Sequence, residues 1–143
     1  MPDYPPLFRK VDCIRMPVAD LEGGLAFYRD ALGHQLNWRT ATAAGLRMPD
    51  SDAEIVIHTE GHLSEVDLLV DSVEQAANRF TEAGGRIVSG PFDIAIGRCA
   101  VVADRWGNVL VILDMSKGRL TVDAKGNVIG NQPPPQPPRP ERS

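Results

Sequence analysis

A handful of side chains in this sequence have the chemistry for binding or catalysis. His58, in the run IVIHT, is a base near neutral pH or a nitrogen ligand, and equally a hydrogen-bonded core histidine. Glu65 opens the run EVDLLV and offers a carboxylate as general acid or base; the plainer reading is a solvated residue at a strand start. Cys13 and Arg15 stand two apart in VDCIRMPV, so an extended segment puts both on one face. An inward guanidinium at Arg15 suits an anionic ligand group, or else it pairs with Glu65 or Asp12. Cys13 becomes nucleophilic only if Arg15 or Arg39 stabilises its thiolate, and is otherwise an inert buried thiol. Trp38 can stack on a flat ligand, whereas Trp106, in the turn DRWGN, is expected as a lid over the core. Arg98 heads the run RCAVVAD and faces either the same interior or solvent. His58 and Glu65 are the catalytic candidates, and Cys13, Arg15, Trp38, His58, Glu65 and Arg98 the ligand-binding ones.

Other chemistries are disfavoured. The 143 residues carry 15 Lys and Arg against 19 Asp and Glu, and no basic run occurs, which argues against a nucleic-acid partner. The two cysteines, Cys13 and Cys99, make neither a CxxC zinc pattern nor a disulfide framework. No apolar run approaches the roughly 20 residues needed to cross a bilayer. The opening MPDYPPLFRK lacks the basic start and apolar stretch of a secretory leader. We expect a soluble cytoplasmic protein.

The elements that must position these residues can be read from periodicity. VDCIRMPV alternates as a strand, with Ile14, Met16 and Val18 opposite Cys13 and Arg15. Asp20 caps a helix whose stripe is Leu21, Leu25, Tyr28 and Leu32, and Gly33 ends it with positive φ. QLNWRTA, GLRMP and EIVIHT follow as strands, the last two separated by the turn residues PDSD. The pattern then restarts. EVDLLV is a strand, and Ser72 with Gln75 begins a helix as a capping box. Val73, Ala76, Ala77, Phe80 and Ala83 form its stripe, and Gly84 and Gly85 close it. RIVSGPF, RCAVVAD and NVLVILD complete the set. The order is βαβββ twice, in modules 11–60 and 64–115. The fold class is therefore α+β, two tandem modules whose eight strands form one curved sheet around a cavity. A hairpin is expected over 117–131, covering a sheet edge or embracing a second subunit. A proline-rich flexible tail occupies 132–143.

The stretches PVADLEGGLAFYRDALGH, VDLLVDSVEQAANRFTEAGG and DRWGNVLVIL, in this order, resemble the vicinal oxygen chelate superfamily of glyoxalases, bleomycin-resistance proteins and extradiol dioxygenases. The resemblance covers about residues 8–116. It implies a homodimer and, in the enzymes, one divalent metal held by inward His and Glu side chains. By the same resemblance the first ligand position falls at Cys13, the second near His58, the third at Glu65 and the fourth at Val111. Val111 cannot ligate and Cys13 suits oxygen chemistry poorly, so no metal site is assigned. The reading is a small-molecule-binding protein without cofactor. The alternative is an enzyme, lyase- or dioxygenase-like, with a variant divalent-metal or acid–base site that acts on a small oxygenated metabolite.

Overall fold

The computed structural model describes residues 5–132. The first module runs β1 (Lys10–Pro17), α1 (Leu21–Leu25), β2 (Leu36–Arg39), β3 (Ala43–Met48) and β4 (Ser51–His58). The second runs β5 (Glu65–Leu69), α2 (Val73–Glu82), β6 (Arg86–Ile94), β7 (Gly97–Ala103) and β8 (Val109–Leu113). A separate hairpin, β9 (Arg119–Val122) and β10 (Val128–Gln132), follows. Most of the proline-rich tail lies outside the described residues.

Eight strands form a single sheet in the order β2-β3-β4-β1-β5-β8-β7-β6. β1 is parallel to β4 and β5 is parallel to β8, so the two modules repeat one topology. They meet where β1 and β5 pair antiparallel, with Ile14 opposite Val66 and Arg15 opposite Glu65. Both helices pack on the outer face. Leu21 and Leu25 meet Ala44, Leu46 and Ile57 beneath the first helix. Val73 and Ala76 meet Val70, Ala100, Val102 and Ile112 beneath α2. Gly24 allows the first helix to approach this closely: a Cβ there would stand 2.8 Å from Ile57 Cδ1.

The first helix departs from its expected stripe at the end. After Leu25 it widens into a π-helical segment, Ala26–Ala31, closed by bonds from Leu32 N–H to Phe27 and from His34 N–H to Tyr28. The wider turn moves later residues around the axis. Leu32 therefore leaves the buried stripe and is exposed. Ser72 caps α2 as expected, its hydroxyl accepting from Gln75 N–H at 3.3 Å. A second cap comes from the end of β8. Asp114, buried, accepts from Val73 N–H with one oxygen and from Arg98 N–H, Ser116 N–H and the Ser116 hydroxyl with the other.

One turn is built twice. In DRWGN, Asp104 accepts from the N–H groups of Trp106 and Asn108 and from the Asn108 amide. In DAKGN, at the tip of the hairpin, Asp123 accepts from Lys125, Asn127 and the Asn127 amide in the same way. Gly107 and Gly126 take φ of 88° and 85°, the left-handed region where a side chain would be strained. Trp106 is not a lid over the core: it is 79% exposed, with Arg105 above its ring.

Candidate functional site

Strand alternation puts one set of side chains on the concave face. Cys13 and Arg15 of β1, Glu54 and Val56 of β4, Glu65 and Asp67 of β5, Cys99 and Val101 of β7, and Val111 and Leu113 of β8 all line one cavity of about 890 Å³. Its walls differ in character. Asp12, Arg15, Glu54, Glu60, Glu65 and Asp67 make one wall polar; Phe92, Ile94, Ile96, Val101 and Leu113 make the other apolar.

The hairpin crosses this cavity. At its root Lys117 N–H donates to Ile96 and the Asn131 amide donates to Ala95, tying it to the β6–β7 corner. At its tip Gly126 accepts from Arg39 N–H at 2.7 Å, tying it to β2, the opposite edge of the sheet. Leu120, Val122 and Val128 add apolar surface to the cavity between these ties. The edge that the hairpin touches thus belongs to its own chain.

Four of the six candidates, Cys13, Arg15, Trp38 and Glu65, line the cavity. Arg15 reaches Glu60 at 3.0 Å rather than Glu65 or Asp12. Trp38 donates from Nε1 to Glu54 at 3.0 Å, and its indole lies against Gly45. The Cys13 thiol donates to Asp67 Oδ2 at 3.5 Å. Burial, followed by the neighbouring Asp67 and Asp12, pushes that thiol far above its ordinary range, and Cys99 is pushed up to about 11 by burial and the charges of Asp67 and Glu65. Neither arginine considered as a thiolate partner approaches Cys13 by hydrogen bond: Arg39 turns to Glu22 at 2.8 Å and Arg15 to Glu60. Both thiols are held protonated and unreactive.

His58 and Arg98 stand apart. The ladder pairs His58 with Pro17 and Ala43, so it has the inward parity but lies beyond the cavity-lining residues of β4. Its Nδ1 accepts from Glu60 N–H at 3.2 Å, and Nε2 is buried without a partner. Burial, then the Arg15 charge, lowers its pKa. Arg98 is on the outer face beside α2, paired with Glu74 at 2.8 Å and Asp93 at 3.2 Å. Alternation from inward Cys99 requires that placement.

Asp67, like Glu54 and Glu60, is a cavity residue not picked out from the sequence. It lies two positions after Glu65 in EVDLLV, so strand alternation alone puts both on one face. Asp67 is 5% exposed, and burial together with the adjacent Glu65 pushes its carboxyl up to about 8. Asp12 is also raised, first by burial and then by Glu54.

A family model, the Glyoxalase/Bleomycin resistance protein/Dioxygenase superfamily, matches residues 10–112. The chain belongs to this superfamily. Solved structures agree on the fold. Methylmalonyl-CoA epimerase from Mycobacterium tuberculosis superposes with a TM-score of 0.63 at 20% identity, over 76% of this chain and 89% of that one. NAD-dependent benzaldehyde dehydrogenase from Legionella pneumophila gives 0.61 at 18%, over 72% and 97%. A variant of homoprotocatechuate 2,3-dioxygenase from B. fuscum gives 0.58 at 21%, over 77% of this chain and 33% of that one. No curated protein matches the chain. The named activities differ widely, so likeness to these members of the superfamily carries the fold and not the reaction.

The superfamily's metal does not fit the residues present. Cys13, Glu65 and Val111 do face the cavity from β1, β5 and β8. Val111 has no donor atom, however, and the thiol of Cys13 is protonated and turned to Asp67. Among the described residues no three His, Cys, Asp or Glu side chains are grouped to hold a metal ion.

Proposed function

We propose that this protein binds an amphipathic small organic molecule in the cavity between its modules, through side-chain contacts rather than metal chelation. The observation that carries this is the division of one cavity of about 890 Å³ into a carboxyl-rich wall and an apolar wall, with the apolar wall extended by the hairpin. Such a volume suits a ligand of drug-like size, with a few polar groups fixing orientation. The protein works as a homodimer. Val11, Ile14 and Val66 form an exposed apolar row where β1 meets β5 on the outer face, a surface that a second copy would cover. It acts in the cytoplasm. No helix among the described residues is long and apolar enough to cross a membrane.

A thermal-shift screen of small metabolites tests the binding reading. A ligand at a hundred times its Kd stabilises the fold by about 2.7 kcal/mol. Hits should disappear in Val101→Trp, which fills the apolar side, while the fold persists; hits that survive this change would place binding elsewhere and remove the proposal.

A second reading is favoured by one observation, the Asp67 carboxyl held protonated near neutral pH beside Glu65. A carboxyl that keeps its proton near neutral pH, set against a second carboxyl, offers a group poised for general acid–base work. It would exchange a proton with a small oxygenated metabolite. Solvent-deuterium exchange into candidate carbonyl compounds, followed by NMR and abolished in Asp67→Asn, would identify such an enzyme.

A further inference from the structure

The carboxyl-rich wall is not balanced by the cations that share it. Asp12, Asp52, Glu54, Glu60, Glu65 and Asp67 line the cavity together with Lys10, Arg15 and Arg119. Lys10 is held by Asp52 at 2.6 Å and Arg15 by Glu60 at 3.0 Å. Asp12, Glu54, Glu65 and Asp67 have no ion partner among the described residues. Of these, Glu54 has both oxygens occupied, one by the Asn37 amide and one by the Trp38 indole N–H.

Of the three that remain, Asp12, Glu65 and Asp67, the last two meet each other. They project from the same face of β5, and the Glu65 carboxyl lies within hydrogen-bonding reach of Asp67. One oxygen of Asp67, Oδ2, takes the Cys13 S–H. Oδ1 is fully buried, on a residue that lines the cavity, and no hydrogen-bond donor among the described residues reaches it. Two acceptor groups therefore face each other with no N–H between them. A proton shared by the pair can fill that gap. A ligand fills it better if it brings two N–H donors and a positive charge, because charge-assisted bonds to a carboxylate are the stronger kind.

We infer that Glu65 and Asp67 anchor the ammonium group of a primary or secondary amine, whose apolar body lies against Ile94, Ile96, Val101 and Leu113. The inference rests on the cavity reading above and adds the chemical class of the ligand. A metal ion is the poorer occupant, because the residues around the pair do not complete a ligand set. A carboxylate-bearing ligand is opposed by the six acids of the lining, which outnumber Lys10, Arg15 and Arg119, and Arg15 and Lys10 are already engaged. The apolar wall, which includes the buried cluster of Cys99, Val111 and Leu113, sets the other requirement: a hydrocarbon or aromatic body attached to the amine.

The test compares three probes of one chain length, n-octylammonium, n-octanol and octanoate, by calorimetry with the full chain below their micellar concentrations. Hydrogen bonds to charged groups contribute about 1.5–3 kcal/mol, so octylammonium should bind roughly 10- to 100-fold more tightly than octanol. Octanoate should bind more weakly than either. Glu65→Gln places an amide donor against Asp67 and should remove the ammonium preference while octanol affinity changes less than about threefold. Asp67→Asn should act in the same direction, and Glu65→Gln, at the strand's more accessible end, carries the test if the buried variant does not fold. Equal affinity for octylammonium and octanol, or a preference unmoved by Glu65→Gln, would overturn the anchor but leave the apolar cavity standing. Absence of binding by all three probes would overturn the anchor together with the cavity reading.

Discussion

Replacing Asp114 with asparagine tests how α2 is fastened to the sheet. In the structure its carboxylate accepts four hydrogen bonds: one from Val73 at the first turn of α2, one from Arg98 at the start of β7, and two from Ser116. Asparagine keeps one acceptor oxygen and turns the other into an NH₂, which cannot accept. At least one buried N–H then loses its partner, at about 1–3 kcal/mol, and the bonds that survive lose their charge assistance. The sum is roughly 3 kcal/mol, a fall of about 10 °C in Tm for a domain of this size. Urea unfolding followed by circular dichroism at pH 7 measures it. Its pH dependence gives a second, independent check. Burial opposes ionisation of Asp114, but the bonds from Val73, Ser116 and Arg98 outweigh it and hold its pKa below the usual carboxylate value. The unfolded chain therefore binds the proton first as pH falls below about 4. The stabilisation is present above that pH and is lost as pH drops through the depressed folded value, so wild type and variant should converge in acid. A difference below about 0.5 kcal/mol at pH 7, or one that does not shrink in acid, would show that the four bonds do not hold the helix.

Asp67 should give the opposite sign. Its carboxyl is raised to about 8 in the fold, so folded protein holds a proton that the unfolded chain has released, and stability falls as pH rises from about 4 towards 8. Urea titrations at pH 5, 7 and 9 should show Asp67→Asn gaining on wild type at each step, and parallel pH profiles would contradict the assignment. Gly45→Ala puts a Cβ into the Trp38 indole and should break the Trp38–Glu54 bond, at about 1–3 kcal/mol of overpacking. In a Trp106→Phe background the emission of Trp38 should shift to the red, and an unchanged spectrum would mean the indole does not rest on that glycine. Asp123→Ala removes the three bonds that shape the hairpin tip. Amide exchange at Arg39, which donates to Gly126, should accelerate while the global unfolding midpoint stays unchanged; unaltered exchange would mean the tip is held by other contacts.

What was legible in the sequence was what local geometry determines. Alternation in VDCIRMPV put Cys13 and Arg15 on one face, and the caps Asp20 and Ser72 marked both helix starts. Leu32 was misplaced because a π-helical turn leaves no mark in an apolar stripe until its hydrogen bonds are seen. Arg98 was uncertain because β7 is buried on both faces, so its polarity does not alternate. Asp67 was readable, being two residues from Glu65, but an acid in an apolar strand signals a pocket only when the opposite wall is known. The bond between Arg39 and Gly126 joins segments far apart in sequence, and no local pattern announces it.

That last bond gives the hairpin a mechanical role. Rooted at one edge of a bent sheet and tied at the other, it is a chord across an arc, as a string is to a bow. The curvature of the sheet, and with it the width of the space inside, is then set partly by the length of that chord. Lengthening the hairpin by a residue pair on each strand would relax the arc without altering any side chain in the walls. The size of molecule accepted would become adjustable from a segment that lies outside both repeated modules.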